Sequence, residues 1–149
     1  METAQQLGGF LSLDLHHVGI LVNDIAKRAA FYIRRLGYEI HSEIIHDPTQ
    51  TAYVQFLKLP ADPVYLELIS PDGPKSKLAN ALTKGEGLNH ICYATDDIDV
   101  DCARLRVDGL IVICDPVRAV AFRGRRIAWL IGSDRVLIEL LERGAVGKL

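Results

Sequence analysis

Apolar and polar residues alternate from Leu13 to Leu21. Leu13, Leu15, His17, Gly19 and Leu21 share one parity, which predicts a strand with His17 on that face and His16 on the other. From Ile25 the period lengthens to that of a helix. Ile25, Ala29, Tyr32, Ile33 and Leu36 form one apolar stripe, with Asp24 placed to cap the first turn and Gly37 just beyond the last. Three strand-like runs follow, at about 38 to 45, 51 to 59 and 63 to 69, separated by Asp47-Pro48 and by Pro60-Ala61-Asp62-Pro63.

The same order of features then returns. Leu88-Asn89-His90 repeats Leu15-His16-His17 at an offset of 73, Asp97-Ile98 repeats Asp24-Ile25 at the same offset, and Val136 to Leu141 repeats Val64 to Ile69 at 72. Asp97 caps the second helix, Ile98, Cys102 and Leu105 form its stripe and Gly109 ends it. Strands are expected at about 110 to 114, 125 to 131 and 135 to 142, the last two joined by Gly132-Ser133-Asp134. The expected architecture is therefore α+β, a βαβββ unit used twice over about 13 to 70 and 86 to 143 within a single domain spanning 1 to 149. Ser70-Pro71-Asp72-Gly73-Pro74 and a short helix over 75 to 83 connect the copies, and residues 1 to 11 read as a loose lead-in.

Each copy carries one histidine near its start and one glutamate near its end. If a rough twofold relates the copies, His17, Glu67, His90 and Glu139 fall at equivalent places on paired strands, and two imidazoles and two carboxylates converge. Glu67 and Glu139 each interrupt an apolar strand, where a buried carboxylate needs a partner or a cation. The mixed nitrogen and oxygen set suits a divalent first-row ion, and Co, Ni, Zn and Mn all tolerate it. His16, His41 and His46 have no counterpart in the other copy and read as ordinary residues.

Composition narrows the class. The chain is 49% apolar with a formal charge of -2, which argues against a nucleic-acid surface, and no apolar run is long enough to span a membrane. With no basic-then-apolar leader pattern, the expectation is a cytoplasmic protein. Cys92, Cys102 and Cys114 have no CxxC spacing and read as reduced, mostly buried thiols.

His-His-Val-Gly-Ile at 16 to 20, Leu-Glu-Leu-Ile-Ser-Pro at 66 to 71, Gly-Glu-Gly-Leu-Asn-His-Ile at 85 to 91 and Val-Leu-Ile-Glu-Leu-Leu-Glu at 136 to 142 resemble the vicinal oxygen chelate superfamily. This is the glyoxalase and bleomycin-resistance fold of paired βαβββ modules around a half-barrel cleft. Among its members these stretches are most similar to the methylmalonyl-CoA epimerases. The resemblance implies metal ligation by His17, Glu67, His90 and Glu139, a homodimer, and an acyl-CoA or thiol-conjugate substrate. It also implies chemistry in which the ion binds adjacent substrate oxygens and acidifies the neighbouring carbon. Inversion at that carbon needs an acid and a base on opposite faces. Glu139 is the first choice for one, and Glu43 and Glu67 are candidates for the other.

Arg118, Arg123 and Arg126, with Arg125, Lys75, Lys77 and Lys84, are candidates to meet CoA phosphates. The bulky run Val117 to Arg125 replaces the glycine-rich loop usual in the epimerases. Two other readings remain open: a glyoxalase-I-type lactoylglutathione lyase using the same four residues, and a metal-free small-molecule-binding protein of the resistance type. A ring-cleaving dioxygenase fits less well, because Glu67 would fill a position needed for O₂.

Overall fold

A computed structural model describes residues 13–144 and Leu149. The expected lead-in over 1 to 11 lies outside the described residues. The elements in chain order are β1 (Leu13–Leu21), α1 (Ile25–Leu36), β2 (Glu39–Ile40), β3 (Ile45–Asp47), β4 (Ala52–Lys58), β5 (Tyr65–Pro71), α2 (Ala79–Thr83), β6 (Gly87–Thr95), α3 (Ile98–Val107), β7 (Ile111–Arg118), β8 (Arg126–Ile131) and β9 (Leu137–Glu142). A 3₁₀ turn, Val120–Phe122, joins β7 to β8.

Among the described residues the strands form one mixed sheet in the order β2-β4-β5-β1-β6-β9-β8-β7, with β3 also paired to β4. The order reads alike from either end. In the first half β1 runs parallel to β5, in the second β6 runs parallel to β9, and β1 and β6 pair antiparallel in the middle. No helix among the described residues is long and apolar enough to cross a membrane.

The helices begin where the sequence places their caps. Asp24 accepts from the Lys27 N–H, Asp97 accepts from the Val100 N–H, and Gly37 closes α1 in the left-handed region at φ 76°. Ile25 and Ala29 bury α1 against Leu57, Leu66 and Leu68, whereas Leu36 at the end of the expected stripe is exposed. Ile98 and Cys102 bury α3 against Ala128, Leu130 and Leu140.

Three expectations need correction. The run at 38 to 45 is not one strand but the pieces β2 and β3. Between them the His41 and Ser42 N–H groups both turn to the Phe56 carbonyl, and Ser42 Oγ accepts from the Phe56 N–H, so side-chain bonds replace the ladder. The strand expected at 110 to 114 continues to Arg118 through two register irregularities that absorb Pro116 at the sheet edge. The linker helix is confined to Ala79–Thr83.

The alternation of β1 also fails in one place. A bulge between Leu15 and His17 leaves Leu15 exposed, while His17 stays fully buried and His16 half-buried. His16 does not point away: its ring lies 5.3 Å from Tyr65 and 5.8 Å from Phe122, centroid to centroid.

Candidate metal centre

Four adjacent strands build the centre from two rows of residues. Tyr65, His17, Cys92 and Glu139 lie side by side across β5, β1, β6 and β9; one pleat further on, Glu67, Gly19 and His90 do the same across β5, β1 and β6. Period-two geometry turns all of these toward one face of the sheet. Gly19 is required there, because the His90 ring lies on its Cα. A Cβ at position 19 would stand 2.1 Å from His90 Cε1.

Three of the four donors expected from the sequence, His17, Glu67 and His90, offer ligand atoms that all lie within 4.8 Å of one another, and Glu139 stands next to the two imidazoles. His17 Nε2 is 3.0 Å from His90 Nε2 and 3.0 Å from Glu67 Oε2, and Glu139 Oε2 is 3.7 Å from His90 Nε2. The longer separations, Glu139 Oε1 to His17 Nε2 and Glu67 Oε1 to His90 Nε2, are both 4.0 Å. Two donors about 2.1 Å from a common ion are about 3.0 Å apart at right angles and about 4.2 Å apart when opposed. The spacings among His17, Glu67 and His90 match one divalent ion with coordination positions left over, and Glu139 is near enough to His90 to supply a fourth donor.

The electrostatics point the same way. Burial drives the His17 imidazole down to about 3 and His90 to about 4, so both rings are neutral at pH 7 and have lone pairs to give. Burial raises Glu67 to about 7 and raises Glu139 well above the carboxylate range, and the charge of Glu67 adds to the effect on Glu139. Glu139 Oε1 is buried with no hydrogen-bond partner. Converging acceptors of this kind are costly alone and stable around a cation, which reverses the shift on both carboxylates. The residues fit the metal that the sequence implied.

Above the donors opens a cavity of about 510 Å³. Val54, Ile69, Leu78, Phe122, Ile127 and Trp129 make most of its wall, and Glu67 and Glu139 form its floor. Asp47 is the only other carboxylate among the described lining residues, and it is committed elsewhere. Its Oδ1 accepts from the Gln50 N–H and its Oδ2 from the Val120 N–H, which pins the 3₁₀ turn to β3. Gln50 also lines the wall, its Oε1 accepting from Trp129 Nε1 at 3.1 Å.

The remaining sequence candidates do not gather at the cavity. Glu43 is exposed between β2 and β3 and is not among the lining residues. Arg118 donates to the Gly124 carbonyl, Arg123 is exposed, and Arg126 is held between Asp99 and Glu142. Arg125 donates to the Phe122 and Glu142 carbonyls, and Lys77 is the only cationic side chain among the described lining residues. Sequence reasoning passed over His16 and Asn89, whose signal was position, immediately before the two histidine donors.

Residues 16–129 match the family model of the Glyoxalase/Bleomycin resistance protein/Dioxygenase superfamily. The chain is 32% identical over 122 residues to the ethylmalonyl-CoA/methylmalonyl-CoA epimerase of Cereibacter sphaeroides, covering 80% of this chain and 89% of that one. It is 27% identical over 130 residues to the uncharacterized protein YwkD of Bacillus subtilis, covering 87% and 96%. A variant of Streptomyces coelicolor methylmalonyl-CoA epimerase in complex with 2-nitronate-propionyl-CoA superposes with a TM-score of 0.78 at 32% identity, covering 89% of this chain and 95% of that chain. With the family model spanning most of its length and two epimerases above 30% identity, the chain belongs to the Glyoxalase/Bleomycin resistance protein/Dioxygenase superfamily.

Proposed function

We propose that the protein is a metal-dependent isomerase that moves a proton at the carbon next to a thioester carbonyl, acting on a methylmalonyl-CoA-like substrate. The observation that carries this reading is the pair of carboxylates, Glu67 and Glu139, on either side of two imidazole nitrogens at the floor of an apolar cavity. The divalent ion, when held by His17, Glu67, His90 and Glu139, supplies positive charge beside substrate oxygens whose negative charge grows as the proton leaves.

The protein's own groups do the rest. Glu139 takes the proton from one face and Glu67 returns one on the other, since Asp47 is occupied by two backbone N–H groups and Glu43 is not among the described residues lining the cavity. Burial serves this exchange by raising both carboxyl groups above the ordinary carboxylate range, Glu67 to about 7. The apolar wall excludes water from the reacting carbon.

One observation favours a second reading. Arg118, Arg123 and Arg126 do not line the cavity, which suits a smaller thiol conjugate such as a glutathione hemithioacetal as well as it suits CoA. Proton exchange in D₂O, followed by NMR, separates the two. Deuterium entering the α-carbon of methylmalonyl-CoA supports the epimerase. Turnover of methylglyoxal plus glutathione without acyl-CoA exchange supports the lyase, and neither reaction defeats both.

A further inference from the structure

The sheet contains two bulges next to the metal centre, and both insert the residue that precedes a ligand histidine. On β1 the pairing steps from Leu15↔Tyr93 to His17↔Cys92, leaving His16 extra; on β6 it steps from Gly19↔His90 to Ile20↔Leu88, leaving Asn89 extra. His16 and Asn89 stand at the same offset of 73 as the ligands themselves. A regular strand would send neighbouring side chains to opposite faces. A bulge lets two successive residues lie together.

Both extra residues use that freedom in the same way. Asn89 Oδ1 lies 2.7 Å from His90 Nδ1, and His16 Nδ1 lies 2.8 Å from His17 Nδ1. An amide oxygen only accepts, so His90 carries its proton on Nδ1 and turns an unprotonated Nε2 toward the other donors. If the first copy follows the second, His17 Nδ1–H donates to His16 Nδ1 and the His16 proton sits on Nε2. That nitrogen is buried without a partner.

We propose that His16 and Asn89 are positioning residues: each is delivered by a bulge to the Nδ1 edge of the next histidine, fixing its ring and tautomer so that Nε2 faces the metal. The inference rests on the metal reading of the four donors but not on any particular substrate. Two different residue types therefore perform one task at duplicated positions. Outer partners of this kind orient a ligand and raise its basicity.

The test compares the wild type with His16→Ala, Asn89→Ala and His16→Asn, the last giving the first copy the amide used by the second. With Co²⁺ as the ion, chelator competition should show affinity about 10–100-fold weaker in each alanine variant and largely restored in His16→Asn. Long-range ¹H–¹⁵N NMR on the Zn²⁺-loaded wild type should show slowly exchanging Nδ1–H protons on both His17 and His90. In the metal-free protein, His90 should already be the Nδ1–H tautomer. Folded alanine variants with unchanged affinity, or a metal-free His90 protonated on Nε2, would overturn the proposal, and the metal-free spectrum stays decisive if a variant fails to fold. A wild type that takes up no ion defeats the metal reading instead, a result the chelator assay reveals before any variant is compared.

Discussion

Replacing Gly19 by Ala tests the centre through a single methyl group. The new Cβ would lie 2.1 Å from His90 Cε1, 2.4 Å from Nδ1 and 2.5 Å from Nε2. Carbon atoms in comfortable contact are about 3.5 Å apart, so the ring must retreat by about 1.4 Å. A metal donor tolerates only about 0.2 Å of error, and His90 Nε2 would lose its 3.0 Å relation to His17 Nε2. Divalent-metal affinity should fall at least 10–100-fold, the usual effect of disturbing a ligand's support. Overpacking should also cost about 1–3 kcal/mol, which for a chain of this size lowers the melting temperature by roughly 2–12 °C. Chelator competition and thermal unfolding read the two effects. Gly73→Ala, where an added Cβ meets nothing within 4 Å, is the control. Wild-type affinity and melting temperature in Gly19→Ala would refute the packing argument.

Other outcomes follow from the same geometry. Glu139→Gln and Glu67→Gln should each lower α-proton exchange by about 10²–10⁴-fold, while Glu43→Gln leaves it unchanged; near-normal exchange in Glu139→Gln removes that residue from the reaction. Asp47→Ala leaves the Gln50 and Val120 N–H groups without their acceptor and should destabilise the fold by about 1–3 kcal/mol in denaturant titrations, with KM rising as the 3₁₀ turn loosens. The pH dependence of the metal-free protein follows from two opposite shifts. Glu67 has a folded pKa raised to about 7 from 4.5, so its contribution is present below about pH 4.5 and lost as pH climbs toward 7. His17 and His90 have folded values lowered to about 3 and about 4 from 6.5, so their contribution is present above about pH 6.5 and lost progressively as pH falls from there through the folded values of about 4 and about 3. Metal binding needs ionised carboxylates, so the rise in melting temperature on adding Co²⁺ should grow between about pH 5 and pH 8; a rise independent of pH would contradict the raised carboxyl pKa values.

Much of this architecture is legible in the sequence because hydrophobic period and cap residues carry it. Asp24, Gly37 and Asp97 mark the helix ends where the chain puts them. The donors are legible for a different reason. His and Glu recur at nearly constant offset, so His17 points to His90 and Glu67 points to Glu139 from the sequence alone. What stays hidden is set by local departures from periodicity. A bulge shifts parity without leaving a fixed residue signature, so His16 reads as outward-facing although its ring bonds to His17. The equivalent position holds asparagine, and matching by identity passes over it. Arg118, Arg123 and Arg126 show the converse limit: a cluster of cations in sequence does not reveal that neighbouring carbonyls and carboxylates already claim Arg118 and Arg126.

The proposed chemistry requires that His17, Glu67, His90 and Glu139 hold one ion. Metal analysis of the purified protein after exhaustive dialysis against a chelator-free Co²⁺ buffer measures this directly. One ion per chain in the wild type, with a clear loss of occupancy in His17→Ala, is the result expected. A wild-type protein that retains no ion, or a His17→Ala variant that retains it in full, would contradict the assignment of the centre.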